Sequence, residues 1–240
     1  MSGLISKAGP GRLLSILLLL AVVASGALPS ASSFPWSGAR ADEARLEAAG
    51  AFADQAASEA LRNAVEARGH RVVMKDGSAL CDIWLRKQVP AKAKGDVSGA
   101  IYTELPESAL VGVISFPKDS RDYRGQQVKA GAYTLRYALH PADGNHLGIS
   151  VYRDFLVMSP VGADQNPDAV LKFDELMKLS AKTLGSVHPS PISLVSPEGL
   201  KAIPGVGTND HGNVVFVARV KTQSGAEMPI AFVVKGEAEQ

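Results

Sequence analysis

The sequence predicts a mainly β fold, an antiparallel β-sandwich of immunoglobulin-like or related architecture, with one inserted α-helix and an N-terminal helical segment. Two patterns lead to this prediction. Short runs of β-branched and aromatic residues alternate with period two, and turn residues separate nearly all of them. A single apolar stripe at helical spacing interrupts these runs. With 46% hydrophobic and 20% charged residues among 240, the composition is that of a globular protein and excludes disordered and collagen-like chains.

Residues 1–26 have the three parts of a secretory signal peptide. Lys7 and Arg12 provide the basic start, residues 13–23 are apolar with one exception, and Ala24-Ser25-Gly26 supplies small residues for cleavage. The apolar run is shorter than the ~20 residues that a membrane-spanning helix needs, so we expect cleavage rather than an uncleaved anchor. Cleavage removes two of the 25 basic residues and leaves 23 against 24 acidic ones, a net charge of −1. The mature protein is therefore expected in the periplasm or outside the cell.

Two segments are expected between the signal peptide and the β domain. Residues 27–41 are rich in Ala, Ser and Pro and are predicted to be a flexible linker. Residues 42–69 combine Ala with Glu, Asp and Arg, a composition that favours helix. The better helical half is predicted at about residues 54–68, and Gly69 is expected to end it.

The β domain is expected over residues 70–237 and begins with a hairpin. Its two strands, residues 71–75 and 78–87, flank Asp76-Gly77, a dipeptide typical of tight hairpin turns. Cys81 and Trp84 in the second strand are predicted to be core residues. Further strands are predicted at residues 100–104, 110–116, 132–140, 151–158, 192–195, 214–222 and 228–235.

The inserted α-helix is predicted at about residues 167–184. Asn166 can cap its N-terminus, and Pro167 suits the first helical position because an N–H group there would have no partner. Gly185 is expected to end the helix. Large apolar residues recur at helical spacing within it, which predicts that the helix lies against the sheet: Val170, Phe173, Met177 and Leu184.

The strand at residues 132–140 has the most specific local pattern. Tyr133, Leu135, Tyr137 and Leu139 share one face, which we predict to be core, while Thr134, Arg136 and His140 share the other. Gly131 two residues before Tyr133, and Leu135 two after it, match the spacing of the tyrosine corner in immunoglobulin-like sandwiches. The pattern favours a sandwich without true immunoglobulin topology, because the flanking cysteines of that fold are absent.

Potential ligand side chains cluster between this strand and the next. The ten-residue connection at 141–150 is longer than most hairpin loops, and long loops carry function more often than short ones. The candidate ligand-binding residues are His140, Asp143, Asn145, His146, Arg153 and Asp154. Imidazole and carboxylate groups suit a divalent metal, so His140, His146 and Asp154 form a candidate metal site.

A structural interpretation of the same residues is the alternative. Asp143-Gly144 and Asn145 are common turn formers, Arg136 could pair with Asp154 across the hairpin, and His140 could lie on the solvated face. No spacing here matches an established metal-binding motif. His211 could join the cluster if residues 205–213, expected to be a turn, lie at the same end of the domain.

Several segments resemble a group of uncharacterised secreted bacterial proteins. They are Cys-Asp-Ile-Trp-Leu at 81–85, Ala-Gly-Ala-Tyr-Thr-Leu-Arg-Tyr-Ala-Leu-His-Pro at 130–141, Asp-Gly-Asn-His at 143–146 and Tyr-Arg-Asp-Phe at 152–155. The resemblance covers about residues 70–237. It implies export in a bacterium and a mainly β domain, and it implies no activity and no catalytic residues.

Two hypotheses about function follow. The first is an exported, non-catalytic binding or structural domain that presents residues 143–150 and 205–213 to an unknown small ligand or protein. The alternative is a metal-dependent hydrolase or lyase that uses His140, His146 and Asp154; apart from that divalent metal, no cofactor is expected. The near-neutral charge and the lack of a Lys/Arg cluster predict no nucleic-acid partner, and no membrane contact is expected after signal cleavage. The sequence has no nucleophile elbow, phosphate-binding loop or C-x-x-C motif.

Overall fold

The computed structural model describes residues 43–141, 152–199 and 202–238, and they form a mainly β, antiparallel domain. Two short helices accompany the strands, α1 (Glu59–Ala64) and α2 (Phe173–Ala181). No helix in these ranges is long and apolar enough to cross a membrane. The strands are β1 (Ala44–Ala49), β2 (Gly69–Met74), β3 (Ala79–Leu85), β4 (Leu110–Phe116), β5 (Ser120–Arg121), β6 (Gln127–Val128), β7 (Gly131–Leu139), β8 (Asp154–Pro160), β9 (Ser190–Val195), β10 (Gly205–Thr208), β11 (Val214–Lys221) and β12 (Glu227–Lys235).

Ten of the strands form one sheet, in the order β1-β2-β3-β4-β7-β8-β9-β12-β11-β10, and β5 and β6 form a separate small hairpin. The large sheet curls until its edge strands β1 and β10 lie beside each other, which gives a nearly closed, barrel-like shape. Its interior holds the main core, in which Tyr137, Phe216 and Phe232 are completely buried. The hydrogen-bonded ladder is continuous through all ten strands, so the prediction of an antiparallel β fold is confirmed and its sandwich detail is not.

The strand directions give the sheet two ends with different connections. At one end, here the Lys75 end, lie the turn between β2 and β3, the end of β4, the end of β12 and the connection between β10 and β11. At the other, the Asp154 end, β7 ends, β8 begins and β9 ends. Because strand neighbours are antiparallel, His140 and Arg153 lie at the opposite end of the sheet from residues 209–213.

Both helices cover the outer face of the sheet. Leu61 of α1 belongs to an outer cluster with Phe52 and Trp84, and Leu176 of α2 belongs to another with Phe155. Burial of Trp84 and of Cys81 confirms that both are core residues. The outer face of β7 is therefore buried beneath connecting segments instead of solvated.

The N-terminal part of the domain differs from its predicted helix. Residues 44–49 form a strand, β1, which pairs along its whole length with β2. The helix is confined to Glu59–Ala64, where Ser58 Oγ accepts the Leu61 N–H at 3.0 Å as an N-cap. Ala favours the helix over poorer helix formers by only about 1 kcal/mol per residue. The backbone hydrogen bonds that residues 44–49 make along the edge of β2 outweigh this preference.

The inserted helix is shorter than predicted and begins later. It starts after Lys172 instead of Asn166, because the backbone carbonyls just before it accept hydrogen bonds from buried arginines. The Asn166 and Ala169 carbonyls accept from Arg136, and the Pro167 carbonyl accepts from Arg86. Because these carbonyls point at the guanidinium groups, they do not align along a helix axis, and residues 166–169 form a turn instead.

Most strand predictions are confirmed, with two exceptions. The hairpin turns at Asp76-Gly77, where Gly77 has a φ of 84° that suits glycine. Residues 100–104 form no strand, whereas Gly205–Thr208, expected to be a turn, form β10. Tyr133 Oη donates to the Lys129 carbonyl at 2.8 Å, the hydrogen bond expected of a tyrosine corner, although here it lies within a continuous sheet.

Candidate functional site

The predicted metal ligands His140 and Asp154 lie on opposite faces of the β7–β8 hairpin. The His140 ring stacks on Phe155 on the outer face, with ring centroids 4.1 Å apart. Asp154 pairs in register with Leu139, so it shares the inner face with Leu139 and Tyr137. The two side chains therefore do not converge. Asp143, Asn145 and His146 lie outside the described residues.

Asp154 is buried, and its carboxylate binds the backbone of a connecting segment. Its Oδ2 accepts the N–H groups of Ile101 at 2.9 Å and Tyr102 at 2.6 Å. Burial raises the pKa of the Asp154 carboxyl above its usual range, and these two hydrogen bonds oppose the rise. Among the described residues, Asp154 Oδ1 and Tyr137 Oη have no partner at ordinary hydrogen-bond geometry, but Tyr137 lies close enough to Asp154 to oppose the rise of its pKa. Burial raises the Tyr137 pKa, and the nearby Asp154 charge adds to that rise.

Arg153 and Tyr102 also attach residues 98–102 to the strands at the Asp154 end. Arg153 donates its backbone N–H to the Gly99 carbonyl at 2.7 Å and its guanidinium to the His140 carbonyl at 2.7 Å. Tyr102 Oη donates to the Val195 carbonyl at 2.7 Å and accepts the Ala231 N–H at 2.8 Å, thereby bridging β9 and β12. Both Arg153 and Asp154, predicted to bind a ligand, thus fasten a connecting segment across the Asp154 end.

Arg136 does not pair with Asp154, because it faces the other side of the sheet. Its Nε and Nη2 donate to the two carboxylate oxygens of Asp164 at 2.6 and 2.9 Å. Thr134 Oγ1 donates to the same carboxylate at 2.6 Å. Arg136 is 0% exposed and Asp164 4%, so this is a buried ion pair, and Arg136 also donates to the Ser108 carbonyl.

No three His, Cys, Asp or Glu side chains within residues 43–141, 152–199 and 202–238 are grouped so that they could hold a metal ion. His211 follows β10 at the Lys75 end, whereas His140 lies at the Asp154 end. Within the described residues, His211 and His140 therefore lie at opposite ends of the sheet, and His211 does not join His140.

A candidate binding site that the sequence did not predict lies at the Lys75 end. Two neighbouring clefts of about 580 and 440 Å³ share Leu80, Asp119, Ser120 and Lys235 among their lining residues. We call them together the Lys75 cleft; its other lining residues are Glu43, Met74, Lys75, Asp76, Ser78, Ala79, Lys118, Arg121, Gln127, Gly236 and Glu237. Volumes of this order are those of small-ligand sites, which span about 300 to 1,000 Å³.

Three lysines around this cleft have no side-chain partner. Lys75, Lys118 and Lys235 are exposed, and within the described part of the chain their ammonium groups make no hydrogen bond or ion pair. The Asp119 carboxylate, in contrast, accepts the Ala130 N–H and pairs with Lys129 at 3.0 Å. The hydrogen bond from the Ala130 N–H is the main cause of the lowered Asp119 pKa.

Asp76 also lines the cleft, and its carboxylate is engaged locally. It accepts the N–H and the hydroxyl of Ser78 at 2.8 and 2.6 Å, which caps the hairpin turn. These two hydrogen bonds are the largest causes of its lowered pKa, and the charges of Lys235 and Lys118 lower it further. Lys118 and Lys235 thus lie within electrostatic range of Asp76 at the same opening.

The sequence carries little signal for this cleft, because its lining comes from distant parts of the chain. Lys75 lies in the β2–β3 turn, Lys118 follows β4, and Lys235 ends β12. Only the predicted hairpin turn at Asp76-Gly77 marks one of its walls. The antiparallel directions of β3, β4 and β12 bring the others together.

Comparison with known proteins adds no relationship. A scan against protein-family models, a search of curated proteins and a search of solved structures each found no match.

Proposed function

We propose that this chain is an exported bacterial protein whose β domain is a non-catalytic binding module, and that it binds its ligand or partner in the Lys75 cleft. The observation that carries the proposal is the placement of three unpartnered ammonium groups, those of Lys75, Lys118 and Lys235, around one cleft. Unpaired charges around a concave surface are groups that a ligand can engage without first breaking an internal ion pair.

The other polar groups considered for chemistry favour a binding module over an enzyme. The Asp154 carboxylate and the Arg153 guanidinium both hold the backbone of residues 98–102. The Arg136 guanidinium is occupied by Asp164 and by three carbonyls. Each of these side chains is tied to backbone groups of the fold, and Asp154 and Arg136 are buried besides, so their contacts support structural roles.

Ligand-observed NMR on the mature chain tests the binding site. A mixed collection of small acidic, basic and neutral metabolites should contain ligands that bind the wild-type protein. We expect these ligands to lose binding to the Lys118→Glu, Lys235→Glu double variant and to keep it with Lys178→Glu, which alters an exposed lysine on α2. Ligands that bind both variants equally, or a collection without any ligand sensitive to the double variant, would contradict the proposal.

Export rests on the signal peptide predicted for residues 1–26 and is tested separately. Expression of the full chain in a Gram-negative host, followed by osmotic release and N-terminal sequencing, should recover a protein that begins near Gly26 or Ala27. An uncleaved protein retained with the membrane fraction would instead support an anchor.

A further inference from the structure

The Lys75 cleft has an apolar floor. Met74 and Leu80 line it, and both are partly buried side chains that contact the main core inside the sheet. Ala79 also lines the cleft. Binding of an apolar ligand surface here would remove that surface from water, together with the parts of Met74 and Leu80 that are exposed in the fold. Burial of such surface is favourable in proportion to its area.

The rim of the same cleft is charged. Lys75, Lys118 and Lys235 present ammonium groups, and Glu43 is the acidic lining residue whose carboxylate has no partner among the described residues. Asp119 is paired with Lys129, whereas Asp76 accepts hydrogen bonds from the neutral Ser78 and keeps a negative charge near Lys118 and Lys235. Among the described lining residues, the three ammonium groups therefore outnumber the two carboxylates without a paired cation, those of Glu43 and Asp76.

We propose that the ligand of the Lys75 cleft is a small carboxylate amphiphile, in which the acid contacts the lysine rim and a short apolar chain lies on Met74 and Leu80. This inference rests on the proposed function and names the chemical class of its ligand. An alkyl chain supplies binding free energy through burial, while the carboxylate orients the molecule toward the lysines and accepts their hydrogen bonds.

The apolar part is short because the sheet interior is filled. Met74 and Leu80 pack against the main core, in which Leu135, Phe216 and Phe232 are each 0% exposed, so the core leaves little space for a long chain. A ligand can thus cover Met74 and Leu80 without entering the core. We expect the gain in affinity with chain length to stop at about the length that spans the floor.

Titration of mature protein carrying [¹³C]methyl-methionine tests the inference, because the Met74 methyl group reports contact at the floor. The probes are butanoate, hexanoate and octanoate, with hexylamine and hexanol as partners of hexanoate that differ in the head group. Each methylene buried should tighten binding about fourfold, from the transfer free energy of about 0.8 kcal/mol per CH₂. Hexanoate should bind more tightly than hexanol and hexylamine, and Lys118→Gln should weaken it by up to about fivefold.

Lys178→Gln is the matched control and should leave hexanoate binding unchanged. Equal or tighter binding of hexylamine would show that Glu43 and its neighbours govern the cleft, and would overturn the inference. Affinity independent of chain length, or shifts confined to methionines other than Met74, would overturn it as well. If no alkyl probe binds while other metabolites bind in a manner sensitive to Lys118→Glu, Lys235→Glu, the ligand class is wrong and the proposed function stands.

Discussion

Replacement of Arg136 by Met should destabilise the domain more than any surface ion-pair change. The substitution keeps an apolar chain of similar length under the outer layer but removes a guanidinium that donates to Asp164 and to three carbonyls. It leaves the Asp164 carboxylate 4% exposed without its cation. Breaking one side of a buried ion pair costs about 3 to 5 kcal/mol, because the remaining charge stays desolvated.

Urea unfolding followed by circular dichroism and analysed by linear extrapolation measures this loss. Arg71→Met is the matched control: its ion pair with Asp82 is also bidentate at 2.7 Å, but the Arg71 side chain is 43% exposed. Exposed pairs are worth about 0 to 1 kcal/mol, so the two variants should differ by at least about 2 kcal/mol. Equal losses for Arg136→Met and Arg71→Met would refute the reasoning that burial sets the cost.

Three further predictions concern buried groups. Asp154→Ala should lower the unfolding free energy by about 2 to 4 kcal/mol, because two backbone N–H groups lose their acceptor. Asp154→Asn keeps an acceptor and should cost less, and urea unfolding of both variants measures the difference. The raised Asp154 pKa means that protonation of this carboxyl favours the folded state, so the wild type should lose stability relative to Asp154→Asn as pH rises above about 4. A difference in unfolding free energy between the two proteins that stays constant from about pH 3 to 7 would contradict this. Gly112→Ala should destabilise by about 1 to 3 kcal/mol, since its Cβ would lie 2.5 Å from the Trp84 carbonyl oxygen, while Gly50→Ala meets no atom within 4 Å and should be tolerated in a thermal melt.

The strand predictions succeeded where the pattern was local. The alternation in β7 placed Tyr133, Leu135 and Tyr137 in the main core, as predicted. The Asp76-Gly77 turn needs only the positive φ that glycine allows, so the hairpin could be recognised from two residues. These features depend on neighbours in sequence, which is why they required no knowledge of the tertiary structure.

Two members of the candidate site, His140 and Asp154, are near in sequence but do not converge in space. His140 and Asp154 lie at the ends of paired strands, yet strand alternation turns their side chains to opposite faces. The sequence offered Asp154 as the partner of Arg136, whereas the later segment around Asp164 covers the face of Arg136 and neutralises its charge. Neither outcome could be derived without the pairing register and the outer layer.

The sequence by itself determined the antiparallel β character of this protein, its first hairpin and the core face of β7, because alternation and turn chemistry act over a few residues. Only the tertiary structure decided that residues 44–49 form a strand, since the edge of β2 supplies hydrogen-bond partners that outweigh helix propensity. It also decided where α2 begins, through the carbonyls that Arg136 and Arg86 bind. The Lys75 cleft belongs to the same class: its three lysines are brought together by the curl and strand order of the sheet, which are properties of the whole chain.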